Sequence, residues 1–156
     1  MNYHNWIYPI VQFYKHYFVI IINQLTELDL SHCPNLQELY CNNNQLTELD
    51  LPHCPNLKRL FCSNNQLPQF DLSYCPNLHR LSCWKNQLTQ LDLSHCPNLK
   101  ELVCHNNQLT DLNILNNDKI TKYNWKNNPI YSDETNTIEK LKEYNRNNYC
   151  SEYILK

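Results

Sequence analysis

The chain is 156 residues long, with 13 basic and 15 acidic side chains and a formal net charge of −2. That length is one domain's worth, and the charge excludes a partner such as duplex nucleic acid, which a strongly basic face would hold. No apolar run approaches the roughly 18 residues of a membrane-crossing helix, so no membrane partner is expected.

Residues 1–15 are rich in aromatics (Tyr3, Trp6, Tyr8, Phe13, Tyr14) and are broken by Pro9. A secretory leader would need a basic start and an uninterrupted apolar core. Here the basic start is missing, and Gln12, Lys15 and His16 interrupt. We read this stretch as a cap over the first structural unit. Tyr17 to Ile22 follows as a first strand, apolar on both faces, so residues 1–22 form an N-terminal cap with an in-phase strand.

From Leu36 the run Leu36-Gln37-Glu38-Leu39-Tyr40-Cys41-Asn42-Asn43-Asn44-Gln45-Leu46 sets a pattern. It returns from Leu57, Leu78 and Leu99, and in weakened form from Ile120. The asparagines Asn23, Asn44, Asn65, Asn86, Asn107 and Asn128 mark a constant period of 21 residues. A fixed period of this size means stacked units that bury their apolar edges against one another. The array spans 23–130.

The segment L-x-x-L-x-C-x-x-N-x-L resembles the conserved half of a leucine-rich repeat, with Cys at the third apolar position. The 21-residue unit is similar to repeats of internalin-like bacterial surface proteins and of short leucine-rich repeat proteins of giant viruses. An AT-rich genome, which the abundance of Asn, Ile, Tyr and Lys suggests, suits the latter. The resemblance implies a mostly β, right-handed solenoid of the α/β-solenoid class with a parallel concave sheet, and a role in protein–protein binding.

Within one coil, Leu36, Leu39 and Cys41 point inward, and Asn44 follows at a turn where its amide can bond backbone groups. Leu46, Leu49, Leu51 and Cys54 line the opposite wall. Pro52 and Pro55 exclude a helix there, so the convex side is extended segments and turns. Gly and Ala are absent from the sequence. Turns that need positive φ therefore fall to Asn, as in Asn42-Asn43-Asn44 and Asn106-Asn107.

Eight of the nine cysteines form two columns at the repeat period, Cys41, Cys62, Cys83, Cys104 and Cys33, Cys54, Cys75, Cys96, with Cys150 outside them. In-register side chains point the same way, which favours stacked thiols over disulfides. We read them as reduced, which places the chain in a reducing, intracellular, cytoplasmic compartment, the host cytoplasm if the chain is viral.

The last repeat decays. Ile120, Tyr123 and Trp125 replace two leucines and the cysteine, and Asn113, Ile114, Asn116 and Asn117 are expected to dissolve the Asp-Leu-Ser-His-Cys turn. Beyond 130, Ile138, Leu141 and Tyr144 recur at three-residue spacing behind Asp133 and Glu134. This reads as an amphipathic helix in a C-terminal cap, 131–156.

If Leu39 and Cys41 point in, their neighbours point out. Three outward columns follow: Glu38, Arg59, Arg80, Glu101, Lys122; then Tyr40, Phe61, Ser82, Val103, Asn124; then Asn42, Ser63, Trp84, His105, Lys126. They vary from coil to coil, as a binding face does, while the inward positions hardly change. Aromatics and Arg dominate interface hot spots, and the candidate protein-binding residues are Tyr40, Arg59, Phe61, Arg80, Trp84, Val103 and His105. The plainer reading is a solvated strand face with a few tolerated rings.

The pairs His32-Cys33, His53-Cys54 and His95-Cys96 lack the spacing that lets zinc ligands converge. The column Asp29, Asp50, Asp71, Asp92 is expected to accept bonds from nearby turn N–H groups or hydroxyls rather than to hold calcium. No phosphate loop, nucleophile elbow or H-E-x-x-H is present. The expectation is a non-enzymatic module with no metal or cofactor, binding a protein partner that the sequence leaves unidentified. The alternative is a purely structural repeat unit or cap of a larger assembly.

Overall fold

A computed structural model describes residues 17–19, 24–114 and 116–132 of the chain. It contains strands β1 (Tyr17–Val19), β2 (Glu38–Tyr40), β3 (Arg59–Phe61), β4 (Arg80–Ser82), β5 (Glu101–Val103) and β6 (Lys122–Asn124). They form one sheet in the order β1-β2-β3-β4-β5-β6, and every neighbouring pair is parallel. Each residue pairs with the one 21 positions on, as in Leu39↔Leu60 and Leu60↔Leu81. The phase extends to β1, where Phe18 pairs with Leu39. Residues 20–22 of the expected first strand, the aromatic stretch before Tyr17 and the expected C-terminal helix lie outside the described residues. After β6 the chain makes one 3-10 turn, Pro129–Ser132.

Each strand is only three residues long because the coil must turn back within 21. Hydrogen bonds between coils continue past the strands, for example Cys62 N–H to Ser82 O at 2.9 Å and Asn64 N–H to Trp84 O at 2.8 Å. The convex side is built from turns, with Cys54 N–H donating to Leu51 O at 2.9 Å and Leu57 N–H to Cys54 O at 3.1 Å. No α-helix occurs among the described residues.

The interior is one continuous cluster of leucines and cysteines. A column of asparagines runs beside it. The Asn65 side chain accepts from Leu46 N–H at 3.0 Å, and its amide donates to Cys41 O at 3.0 Å and Cys62 O at 2.9 Å. Asn86 and Asn107 repeat the arrangement one and two coils on. Each amide thus joins its own turn to the preceding coil and satisfies backbone groups that have lost water.

The turns carry positive φ at Asn43, Asn64, Lys85, Asn106 and Asn127. Asn tolerates this region better than other residues with a Cβ. Lys85 is the exception to the asparagine series, and nothing in the structure explains it.

All eight columnar cysteines are free and buried. Burial pushes the thiols of Cys41, Cys54, Cys75 and Cys104 up to about 12 and that of Cys96 up to about 11. A neutral, enclosed thiol is a poor nucleophile. Alkylation of the native protein is therefore expected to modify Cys150 quickly and the other eight only after denaturation. Mass spectrometry of the labelled chain checks this, and rapid modification of the columns under native conditions would contradict it.

The turn at Asn113–Asn117 does not dissolve, contrary to the expectation from its sequence. Asn117 N–H donates to Ile114 O at 2.9 Å and Ile120 N–H to Asn117 O at 3.0 Å, the pattern of the preceding coils. The reason is that this turn needs a fitting inward side chain rather than a thiol. In the cysteine column, Cys96 Sγ lies 3.7 Å from Cys75 O. Asn117 takes the next place, its amide donating to Cys96 O at 2.9 Å and Leu93 O at 3.0 Å. At the end of the array, Tyr123 and Trp125 fill the leucine and cysteine slots and stack at 4.1 Å.

Candidate functional site

The sheet face turned away from the interior is set by strand alternation. In β3 the leucine is buried while Arg59 and Phe61 are half-buried on the other side. Because the register step is constant, residues of one column lie beside each other at about the 4.8 Å strand spacing.

The charged column resolves into two ion pairs. Arg59 Nη1 meets Glu38 Oε1 at 2.8 Å, and Arg80 Nε meets Glu101 Oε2 at 3.3 Å. The Tyr40 hydroxyl donates to the other oxygen of Glu38 at 2.7 Å. The two arginine side chains keep 42% and 46% of their surface exposed, so water screens the pairs and they add little stability.

The rings also sort by column. Tyr40 stacks on Phe61 with centroids 4.7 Å apart and planes 11° from parallel. Trp84 stacks on His105 at 5.3 Å and 9°. Burial disfavours the charged imidazolium and holds the His105 pKa below its ordinary value. Phe61 and Trp84, both expected to point outward, are each half-buried in a separate stack. They stand in different columns, so the register gives each a different neighbour.

Two further positions differ from a freely solvated face. Val103 is buried, with 8% of its surface exposed, and Ser63 is buried to 1%. Ser63 Oγ lies 2.9 Å from Ser82 Oγ, a diagonal hydrogen bond between columns. Sequence reasoning missed this pair, although the column assignment already placed the two serines on adjacent coils between Phe61 and Trp84.

Elsewhere the side chains serve the fold. Ser31, Ser73 and Ser94 N–H groups donate to Asp29, Asp71 and Asp92 at 2.8–2.9 Å. The bonds from Ser73 and Ser94 hold the Asp71 and Asp92 carboxyls below the usual range. At Asp50 the corresponding donor is missing because residue 52 is proline. His32, His53 and His95 are exposed while the cysteines beside them are buried, so adjacent side chains point apart. Among the described residues no three His, Cys, Asp or Glu side chains gather in a metal-binding arrangement. An open depression of about 440 Å³ beside the turns is lined by Asn43, Asn44, Asn64, Asn65 and Gln66. Its Asn44 and Asn65 amides already serve the interior column.

Solved structures of other proteins share this architecture. The functional domain of InlJ from Listeria monocytogenes, which includes a cysteine ladder, is 31% identical with a TM-score of 0.62, over 65% of this chain and 24% of that one. A leucine-rich repeat protein of Leptospira interrogans is 28% identical with a TM-score of 0.67, over 72% of this chain and 31% of that one. Internalin C2 of Listeria monocytogenes is 30% identical with a TM-score of 0.59, over 65% and 47%. The chain thus spans less than half the length of each of these structures. No curated protein matches the sequence. The family model for leucine-rich repeats, two copies to a match, covers residues 34–74 and 76–117. With the constant register, the inward leucines and the asparagine column in place, this chain belongs to the leucine-rich repeat family.

Proposed function

We propose that the chain is a non-enzymatic module that binds a protein partner through the concave face of its sheet, around Phe61 and Trp84. Leucine-rich repeat domains are in general protein–protein interaction modules. The observation that carries the finer reading is the contrast between the two faces of the same strands. Inward positions repeat Leu and Cys, while outward ones hold two ring stacks and two ion pairs that the packing does not require. In this reading the protein works in a reducing, cytoplasmic compartment, where the columnar thiols stay as they are.

The test is the double change Phe61→Ser with Trp84→Ser, which uses the residue that Ser82 and Ser63 already contribute to those columns. Circular dichroism and melting should change little, because both rings lie outside the leucine interior. Partner capture from cell lysate should fall strongly relative to the parent. Undiminished capture by a folded mutant would place the binding surface elsewhere, with the aromatic N-terminal stretch as the next candidate.

A further inference from the structure

The ring column is interrupted where the charged column beside it is most positive. In the order Tyr40, Phe61, Ser82, Val103, the first two rings stack at 4.7 Å. The next place on the sheet holds only a serine, whose hydroxyl is turned to Ser63. Phe61 has Tyr40 on one face and this small side chain beside the other. Phe61 and Val103 stand two repeats apart, about 9.6 Å. Val103 is itself buried, so the open side of the gap is the Phe61 ring, and a planar group over Ser82 would sit about 4.8 Å from it, close to the spacing that Tyr40 and Phe61 already adopt.

Beside this gap, Arg59 and Arg80 are register partners on adjacent strands. Their carboxylates lie on the outer sides, Glu38 one coil before Arg59 and Glu101 one coil after Arg80. The two arginines are therefore register neighbours whose carboxylates both lie on the outer sides, with no acidic residue between them in the column. Each has five N–H donors, and the ion pairs engage Nη1 of Arg59 and Nε of Arg80. A carboxylate seated between them would accept charge-assisted hydrogen bonds from the N–H groups that the ion pairs leave over.

The two features are two residues apart along a strand, about 6.6 Å. That is also the distance between side chains i and i+2 of an extended peptide on one face. Resting on the concave-face reading above, we propose that the partner contributes an extended segment with an acidic residue and an aromatic residue two positions apart. The aromatic ring continues the Tyr40–Phe61 stack over Ser82, and the carboxylate bridges Arg59 and Arg80.

The probe is the fluorescein-labelled peptide Ser-Gly-Glu-Ser-Tyr-Ser-Gly, titrated with the full chain and read by anisotropy. Counterparts carry Lys in place of Glu, or Ser in place of Tyr. The parent protein is expected to bind the Glu/Tyr peptide, and to bind each counterpart about tenfold more weakly or less. Filling the gap by Ser82→Tyr, which copies Tyr40, should lower affinity by a similar factor with the melting curve retained. Arg59→Gln with Arg80→Gln should do the same and remove the salt dependence, and it serves as the second variant if Ser82→Tyr does not fold. Equal binding of the Lys and Glu peptides, undiminished binding by folded Ser82→Tyr, or no binding by the parent up to about millimolar concentration would overturn the inference. Partner capture separates this from failure of the wider reading. Loss with Phe61→Ser/Trp84→Ser but not with Ser82→Tyr keeps the concave face and removes the acidic–aromatic segment, whereas capture insensitive to both removes both.

Discussion

Leu60→Ala or Leu81→Ala should each lower unfolding free energy by about 2–5 kcal/mol, the range for truncating a well-packed leucine. Both side chains have no exposed surface, and each lies between leucines of the coils before and after it. The buried cluster is continuous along the described coils, so closing the void would shift each neighbouring coil against the next one. Leu25→Ala is expected to cost less. Leu25 retains 8% exposure and lies toward the N-terminal end of the described coils, where packing is relieved more easily. Urea unfolding of the three variants checks the ordering. Equal losses at all three sites would contradict a structure whose stability is a sum of nearest-neighbour interfaces.

Asn86→Ala should be comparably harmful although it removes no apolar surface. The Asn86 side chain accepts from Leu67 N–H at 3.1 Å and donates to Cys62 O at 3.1 Å and Cys83 O at 3.0 Å. Those carbonyls keep a second amide, from Asn65 and Asn107. Leu67 N–H would lose its side-chain acceptor, and orphaning a buried donor costs about 1–3 kcal/mol before the lost donations are counted. A total of about 2–4 kcal/mol follows. Asn86→Asp is the sharper probe, because a carboxylate retains the acceptor but faces two carbonyl oxygens. The buried acid is expected to titrate above its unfolded value, so the protonated variant is favoured at low pH. Stability relative to the parent should fall as pH rises above about 4. Asn56→Ala is the control: that residue is exposed, and its amide donates to Pro34 O at 2.9 Å on the surface. A loss at Asn56 equal to that at Asn86 would show that the interior column has no special weight.

Much of this was legible because the repeat period converts sequence distance into spatial neighbourhood. Subtracting 21 from Leu39 gives Phe18, and the two are register partners. The same arithmetic put Cys41, Cys62, Cys83 and Cys104 in one buried column. It also puts Glu38 beside Arg59, so column membership already contains this ion pair. At the Asn117 turn residue type misleads where position does not. By position, Asn117 stands 21 after Cys96 and performs the same inward task with a stronger donor.

By itself the sequence determined the architecture: coil length, the parallel register, which side chains face inward, and the asparagines that join the coils. These follow from periodicity, since an apolar edge repeated every 21 residues has few other ways to be buried. Only the tertiary structure decided what the outer face presents. Whether Phe61 stands bare or stacks on Tyr40, whether Ser63 meets solvent or Ser82, and how Arg59 and Arg80 divide their carboxylates depend on side-chain contacts between columns. Such contacts are set by rotamers and ring size at each crossing, which alternation along a strand does not encode.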